Sequence, residues 1–355
     1  ATHDFYLKMF YLNKKISSNL GYDLILVDEA QDISDVMIGI VESQNCRRVY
    51  VGDSFQQIYS FRYAINALNK IDLPSYKLTK SFRFSNEYAK DLQRRINSLY
   101  EKNSTKPLNI SGIDSKTSFH SDCIDEDKQY TIISRSTFGL MQELVQHIHS
   151  DKKFYFEGGY NSYSFMNQTV YSIFYLKEKK NDKVTLDEIK DFESIYELEQ
   201  FAKDTKNQDY LNIIKFINTY GDNIFDINKK IKDRLTTKKE EADIIFTTTH
   251  KSKGLEYEQV LMTNDFITKK EISNPKSKLS HLRINEELNI YYVAATRVKK
   301  AIDLASLNLD YTYKEGDAVS SIAKPRYVKK TSDKKMKDLQ EEWLKKNRVK
   351  KVDAF

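Results

Sequence analysis

The pattern of apolar and polar positions along the chain predicts short β-strands that alternate with helices. Each predicted strand is an apolar run that ends in a polar cluster. Helical patterns lie between them, for example over Asn86–Tyr100, Phe138–Ser150 and Asn285–Lys300. Such alternation is typical of parallel sheets with covered faces. The predicted strands are Leu24–Val27, Arg48–Val51, Tyr130–Ile133, Asp243–Phe246, Gln259–Met262 and Ala301–Ala305.

The predicted strands fall into two groups, so we expect an α/β protein with two sheets. One sheet holds the strands near residues 24 and 48, and the other holds the strands near 130, 243, 259 and 301. The stretch 157–240 interrupts the second group, is rich in Tyr, Lys, Asp and Asn, and is predicted to be a mainly helical insertion. A lysine-rich tail, 324–355, follows, and a solvated surface is the commoner role for such a tail.

Length and composition exclude some classes of protein. A chain of 355 residues is long enough for two or three domains. Its mean hydropathy is −0.64, and no run approaches the roughly 20 apolar residues of a membrane span. Cys46 and Cys123 form neither a disulfide framework nor a zinc site, so we expect a reducing, cytoplasmic or nuclear location. The net charge of +6 permits a polyanionic partner without requiring one.

Two adjacent carboxylates, Asp28 and Glu29, directly follow the first apolar strand. Open α/β sheets keep their ligand sites at the C-terminal ends of buried parallel strands. In a nucleotide hydrolase, Asp28 can hold Mg²⁺ through water and Glu29 can accept a proton from the attacking water. Two other interpretations remain: a strand that merely ends in acids, and a nuclease, for which no further clustered carboxylates are evident.

The second predicted strand leads into a segment with candidate phosphate and base contacts. Gly52 allows a tight exit from the sheet, and the amide of Gln56 can both donate to and accept from a terminal phosphate. Tyr59 and Phe61 are two residues apart with Arg62 beside them, a pattern that suits stacking on single-stranded bases. The alternative is that both rings belong to the core.

Later segments add candidate phosphate ligands. Arg83 is predicted to lie in a loop between the two halves, and Arg297 ends the segment Tyr291–Arg297. Guanidinium groups at a γ-phosphate stabilise the charge that develops in phosphoryl transfer, whereas a lone arginine is more often a surface ion pair. The segment Thr247–Tyr257 offers hydroxyls and lysines to phosphates. In it, Gly254 permits close backbone approach and Glu256 can accept from a ribose hydroxyl.

These segments together resemble the conserved motifs of UvrD-type superfamily 1 DNA helicases. The similarity to F-box DNA helicases and their prokaryotic relatives is closest, although the chain has no F-box. Segments similar to motifs II to VI follow one another in family order and span most of the chain: Asp28–Asp32, Gly52–Arg62, Ser81–Phe84, Thr247–Tyr257 and Glu286–Arg297.

The resemblance implies an ATP-dependent helicase that moves 3′ to 5′ on single-stranded DNA and uses ATP and Mg²⁺. It implies Mg²⁺ binding and water activation by Asp28 and Glu29, γ-phosphate sensing by Gln56, and arginine fingers at Arg83 and Arg297. The nucleotide would also contact Gly254 and Glu256. The residues implied to contact DNA are Tyr59, Phe61, Arg62, Thr248 and His250.

The resemblance also implies two RecA-like P-loop NTPase domains. The expected boundaries are 1–77 for the C-terminal part of domain 1A, 78–156 and 241–323 for domain 2A, 157–240 for a 2B-like insertion, and 324–355 for the tail. Single-stranded DNA and its junctions with duplex are the implied substrates, and we expect a monomer that does not contact membranes. Repair, recombination control, replication and defence are all compatible with this family.

One departure from the family is the absence of a Gly-x-x-x-x-Gly-Lys-[Ser/Thr] loop anywhere in the sequence. We expect that the chain begins after this Walker A loop, that the first RecA-like domain is incomplete, and that the chain alone hydrolyses ATP slowly or not at all. A non-catalytic DNA- or protein-binding scaffold derived from a helicase is the alternative. The retained acids and arginines speak against it.

Overall fold

The computed structural model describes residues 3–14, 20–59, 68, 70–100, 107–163, 165, 167–205, 207–268, 271–272 and 280–304. The predictions for Phe61, Arg62 and the tail 324–355 lie outside this part of the chain. The described strands are β1 (Leu24–Val27), β2 (Arg47–Tyr50), β3 (Lys80–Ser85), β4 (Ser111–Ile113), β5 (Tyr130–Ser134), β6 (Phe154–Phe156), β7 (Ile244–Thr248), β8 (Tyr257–Met262) and β9 (Val298–Asp303).

Helices connect most of these strands. None of the described helices is long and apolar enough to cross a membrane. The described α-helices are α1 (His3–Leu12), α2 (Asp35–Glu42), α3 (Asn86–Tyr100), α4 (Thr137–His147), α5 (Gln168–Lys177), α6 (Asp187–Lys190), α7 (Ile195–Asp204), α8 (Gln208–Tyr220), α9 (Asn223–Asp233), α10 (Thr249–Ser252) and α11 (His281–Ala295).

The larger sheet is five-stranded and all-parallel, with the order β6-β7-β5-β8-β9. Successive side chains of each strand point to opposite sides of the sheet, and helices cover both sides, so the strands are largely buried on both faces. On β5, for example, Ile132 packs into one apolar cluster and Ile133 into another. Helices α3 and α11 cover the second of these faces, and α4, α5, α8 and α9 cover the first. The mixed α/β fold with parallel sheets is therefore confirmed.

The helical stretch 157–240 shares a core with this sheet. Val170 and Phe174 of α5 and Ile227 of α9 belong to the same apolar cluster as Phe154 and Phe246 of the strands. Helical structure dominates the described residues of this stretch, as the sequence indicates. Its assignment as a 2B-like insertion stays a prediction.

A small sheet that the sequence analysis missed pairs β3 with β4 in parallel. The prediction that Arg83 lies in a loop is wrong, because Arg83 is in the middle of β3. The strand alternates polar and apolar side chains, and Phe84 near its end is buried in the main core. Because β3 contains several polar residues, it does not form the apolar run that predicts a buried strand.

The sheet β1-β2 is not buried as predicted. The two strands pair in parallel from Leu24 with Arg47 to Val27 with Tyr50. One face exposes apolar side chains, with 69% of Leu26 and 45% of Val49 accessible to solvent. The apolar sequence therefore predicted the strand correctly and its burial wrongly, because no described residue covers this face.

The boundaries of two helices also differ from the prediction. The helical pattern assigned to Asn285–Lys300 ends at Ala295, because the chain turns there and β9 begins at Val298. The pattern assigned to Phe138–Ser150 begins at Thr137, where Ser136 caps the helix by accepting a hydrogen bond from the backbone N–H of Gly139, and ends at His147.

Candidate functional site

The carboxylate pair lies where the sequence predicts, directly after β1. The backbone N–H of Glu29 donates to Asp28 Oδ1 at 2.9 Å. Glu29 has a φ of 51° and a ψ of 41°, a left-handed conformation that costs energy in a residue with a side chain. This turn directs the chain into the short 3₁₀-helix Ala30–Asp32.

Gln31, fully buried, ties this turn to the segment after β2. Its amide nitrogen donates to Glu29 Oε2, and its amide oxygen accepts from the backbone N–H of Asp53 at 3.0 Å. A side chain at position 52 would collide with Gln31 Oε1, which explains the glycine there. The two strand ends are therefore fixed relative to each other through one side chain.

Gln56 lies in the segment Asp53–Tyr59, which we call the Gln56 loop. Asp53 caps its 3₁₀ turn by accepting from the backbone N–H of Phe55, and its other oxygen accepts from Gln56 Nε2 at 3.0 Å. Gln56 Oε1 faces Arg297, with Arg297 Nη2 at 3.5 Å. The predicted sensor and one predicted arginine finger are thus adjacent.

Arg297 is a buried cation, with only 3% of the residue exposed. Its guanidinium donates to the carbonyls of Val293 at 2.8 Å and Leu255 at 3.3 Å. No carboxylate in the described part of the chain forms an ion pair with it. Burial, reinforced by the nearby charge of Arg83, lowers the pKa of Arg297 to about 10.

Arg83 reaches the same region from β3. It donates to Glu256 Oε2 at 3.1 Å and to the carbonyl of Thr296 at 2.8 Å. Glu256 also pairs with Lys299, and these two cations lower the pKa of its carboxyl. Gly254 has a φ of 80°, a conformation that favours glycine. Glu256, the predicted ribose ligand, is thus held by two cations.

Lys253 is the residue that joins the acids to the rest of the site. Its ammonium pairs with Asp32 and, at 3.2 Å, with Glu29 Oε2, and it donates to the carbonyl of Gln56 at 3.0 Å. Only 8% of its side chain is exposed. Burial raises the pKa of Asp32, and the Lys253 ammonium opposes this rise.

Asp28 and Glu29 differ in how available their carboxylates are to coordinate a metal ion. Glu29 already binds Gln31 and Lys253, whereas Asp28 is exposed at the strand end. Mg²⁺ typically keeps several waters and takes one or two carboxylates together with substrate phosphates. The exposed Asp28 fits that requirement. No group of three or more metal-ligating side chains occurs among the described residues.

The described DNA-contact candidates form a second group at the Gln56 loop. Tyr59, half-buried, donates its hydroxyl to the carbonyl of His250 at 3.2 Å, and the two rings are 5.7 Å apart. The Lys253 ammonium lies 5.4 Å from the centre of the Tyr59 ring. Thr248 is buried at the start of α10. The structure thus brings Tyr59 and His250 together and leaves Thr248 little exposed surface.

The pKa of His250 leads to a prediction of how the stability of the protein depends on pH. Burial lowers its pKa from 6.5, and Arg135 adds to this, while the bond from Nε2 to the carbonyl of Ile58 (3.1 Å) and the acids Glu286 and Glu287 oppose it. The unfolded state therefore binds more protons as pH falls below 6.5, so the free energy of unfolding decreases there.

We expect the wild-type chain to lose thermal stability between pH 7 and pH 5, and the His250→Gln variant to lose less. Thermal unfolding of both at the two pH values measures this. His120→Gln, which replaces an exposed histidine, should follow the wild-type protein. Equal pH dependence in all three proteins would contradict the prediction.

The sequence analysis missed several residues of this region. Gln31, Tyr292 and Asn289 gave no separate signal, and Lys253 was recognised only as one of two lysines in a phosphate-contacting segment. Tyr292 bonds to Asp53, and burial raises its pKa. Phe82, next to Arg83, exposes 77% of its surface.

Comparison with known proteins identifies the family. The family model for the UvrD-like helicase C-terminal domain matches residues 6–308. The chain belongs to this family. The resemblance drawn from the ordered motifs is therefore confirmed, and in this UvrD-like helicase C-terminal domain Arg83 and Arg297 lie inside the matched range.

Two curated relatives of this UvrD-like chain are F-box DNA helicases. F-box DNA helicase 1 of Gallus gallus is 29% identical over 332 residues, which cover 87% of this chain and 31% of the relative. F-box DNA helicase protein 1 of Schizosaccharomyces pombe is 30% identical over 323 residues, covering 85% and 36%. The chain spans about a third of the length of these relatives.

Proposed function

We propose that this chain is part of an ATP-dependent DNA helicase that moves 3′ to 5′ along single-stranded DNA. One observation carries the proposal. Arg297 is a buried cation without a carboxylate partner in the described residues, and Arg83 donates to the carbonyl of Thr296, the residue before Arg297. Two neighbouring guanidinium groups, of which that of Arg297 is buried, favour an anionic ligand, and a terminal phosphate is suited to their planar donors.

The residues around this pair fit the parts of a nucleotide hydrolase. When bound, ATP supplies the phosphoryl group, and Mg²⁺ neutralises charge on its phosphates. Asp28 would hold the metal ion, and Glu29 would take the proton of the attacking water. Gln56 would sense the terminal phosphate, and the arginines would stabilise its developing charge. Glu256 and Gly254 would contact the rest of the nucleotide.

The proposed movement along DNA would depend on nucleotide contacts that come from two different domains. In the proposed division, Gln56 belongs to domain 1A (1–77), and Arg297 belongs to the second part of domain 2A (241–323). A nucleotide that touches both domains would favour closure of the cleft between them. Loss of the nucleotide would allow the cleft to open again. The Gln56 loop ends at Tyr59, so closure would move a base-stacking side chain along with the phosphate sensor.

The test is the rate of ATP hydrolysis with and without single-stranded DNA. It compares the present chain with a longer form of the protein that includes a Walker A loop, which we call the extended form. We expect little turnover by the present chain and DNA-stimulated turnover by the extended form. If the extended form is silent but still binds DNA, the non-catalytic scaffold is the better interpretation.

A contact of Tyr59 with DNA gives a separate prediction. Each base stacked on an aromatic ring contributes roughly 1–3 kcal/mol, so Tyr59→Ala should weaken single-strand binding about 5- to 150-fold. Fluorescence anisotropy with a labelled oligonucleotide at fixed salt measures the affinity.

Tyr59→Phe is the matched control for that prediction. It keeps the ring and removes only the hydroxyl that donates to His250. We expect an affinity within about twofold of the wild-type value, because stacking needs the ring alone. An equal loss in both variants would show that the hydroxyl contact, and not stacking, matters.

A further inference from the structure

The backbone of the Gln56 loop is held by side chains from distant parts of the chain. Carbonyls of an irregular segment need donors when they are buried. Lys253 donates to the carbonyl of Gln56, and His250 donates to the carbonyl of Ile58. A third side chain, Asn289 of α11, donates to the carbonyls of Ser54 and Gln57, and the Ser54 carbonyl also accepts from the backbone N–H of Gln57 at 3.5 Å.

Asn289 makes these bonds with a single amide nitrogen. The distances from Nδ2 are 2.9 Å to the Gln57 carbonyl and 3.4 Å to the Ser54 carbonyl. The residue is 8% exposed, so water offers little replacement for the amide. Its two acceptors flank Gln56, whose side chain faces Arg297.

The helix that carries Asn289 also carries the other contacts to this loop. Tyr292, one turn further along α11, packs its ring 5.7 Å from that of Phe55 and bonds to Asp53. Arg297 lies two residues after the end of the helix. The helix and the turn that follows it thus contact the backbone before and after Gln56 and the side-chain amide itself.

We infer that Asn289 is a positioning residue for the phosphate sensor, fixing the backbone on both sides of Gln56 to the helix that leads to Arg297. The inference rests on the proposed function and adds a specific residue to it. Asn289 holds backbone carbonyls on both sides of Gln56, so it acts on hydrolysis through the orientation of Gln56. Movement of α11 therefore moves the sensor and the arginine finger together.

The first test measures hydrogen exchange at the Gln56 loop in the full 355-residue chain. Asn289→Leu keeps the approximate size and removes the donor, and Asn289→Asp keeps the shape if leucine does not fit. We expect amide exchange in the peptide that covers residues 54–58 to rise at least about tenfold. Exchange in β5 and β7 should stay unchanged, which separates a local effect from loss of folding.

The matched control is Asn285→Leu. Asn285 lies one turn earlier on α11, and its buried Oδ1 has no hydrogen-bond partner among the described residues. It makes no hydrogen bond to the Gln56 loop there. We expect loop exchange within about twofold of the wild-type rate.

The second test measures ATP hydrolysis by the extended form. Asn289→Leu should lower kcat about tenfold and change the KM for ATP less than about threefold. Gln56→Ala should have at least as large an effect on kcat, and the double variant should be no slower than Gln56→Ala alone. This non-additivity is expected when one residue acts through another.

Each outcome decides the inference. Unchanged loop exchange in Asn289→Leu would overturn it, and so would faster exchange without a change in kcat. Multiplied defects in the double variant would show a role independent of Gln56 and would overturn it as well. If the wild-type extended form hydrolyses no ATP, the proposed function fails, and the exchange result still shows whether Asn289 fixes the loop.

Discussion

Replacing Arg297 with alanine is expected to lower ATP hydrolysis by the extended form about a thousandfold or more. An arginine that stabilises the charge of the transferring phosphoryl group contributes about 10³- to 10⁵-fold in comparable enzymes. Here the guanidinium is buried, its donors are directed by the carbonyls of Val293 and Leu255, and it faces Gln56. Steady-state ATP hydrolysis with single-stranded DNA measures the effect. A thermal unfolding transition shows whether the variant is still folded.

Arg283→Ala is the control for this prediction. Arg283 lies in the first turn of α11, the helix that precedes Arg297, and 46% of its side chain is exposed while it pairs with Glu286 and Glu287. Glu287 keeps its ion pair with Arg135 in this variant, so hydrolysis should stay within about twofold. If Arg297→Ala keeps more than a tenth of the wild-type rate while folded, the arginine is not a catalytic residue.

Glu29→Gln is expected to lower hydrolysis about 10²- to 10⁴-fold and to leave nucleotide binding nearly intact. The amide keeps the size of the side chain but cannot take a proton from water, and a positioned base contributes by about that factor. The effect should appear in kcat, because Glu29 does not need to touch the nucleotide in order to act. Binding of a non-hydrolysable ATP analogue and single-turnover hydrolysis separate the two quantities.

Glu42→Gln provides the comparison. Glu42 lies at the end of α2, where it bonds to Tyr50 and Arg48 away from the carboxylate pair. We expect its rate to match the wild-type rate within about twofold. A loss of nucleotide binding in Glu29→Gln equal to the loss of hydrolysis would mean that the carboxylate acts in binding and not as a base.

The fold was predictable where strands are buried on both faces. β5, β7 and β8 are such strands, and an apolar run is the direct result of that burial. β6 has only three residues and β3 alternates polar with apolar positions, so neither gives a long apolar run. The exposed face of β1 was beyond prediction, because a sequence shows that a residue is apolar and not whether another segment covers it.

The sequence suggests the candidate site residues one by one, but it does not reveal the contacts that connect them. Asp28, Gln56 and Arg297 stand out because they follow strands or helices in recognisable motifs. The hydrogen bond from Asn289 to the Ser54 carbonyl, by contrast, joins residues 235 positions apart. Lys253 and Asp32 are 221 positions apart. Such pairs depend on how two distant segments pack, which no local pattern in one sequence reveals.

The ammonium of Lys253 affects how readily other cations can bind at Glu29 and Asp32. Because it already pairs with both Glu29 and Asp32, it would compete with any cation that approaches these acids. Under the proposed function, the affinity for magnesium nucleotide would include the free energy of rearranging this contact. Added salt should relieve the competition at Asp32 little, because only 8% of the Lys253 side chain and 16% of the Asp32 side chain are exposed to the ions that screen surface charges.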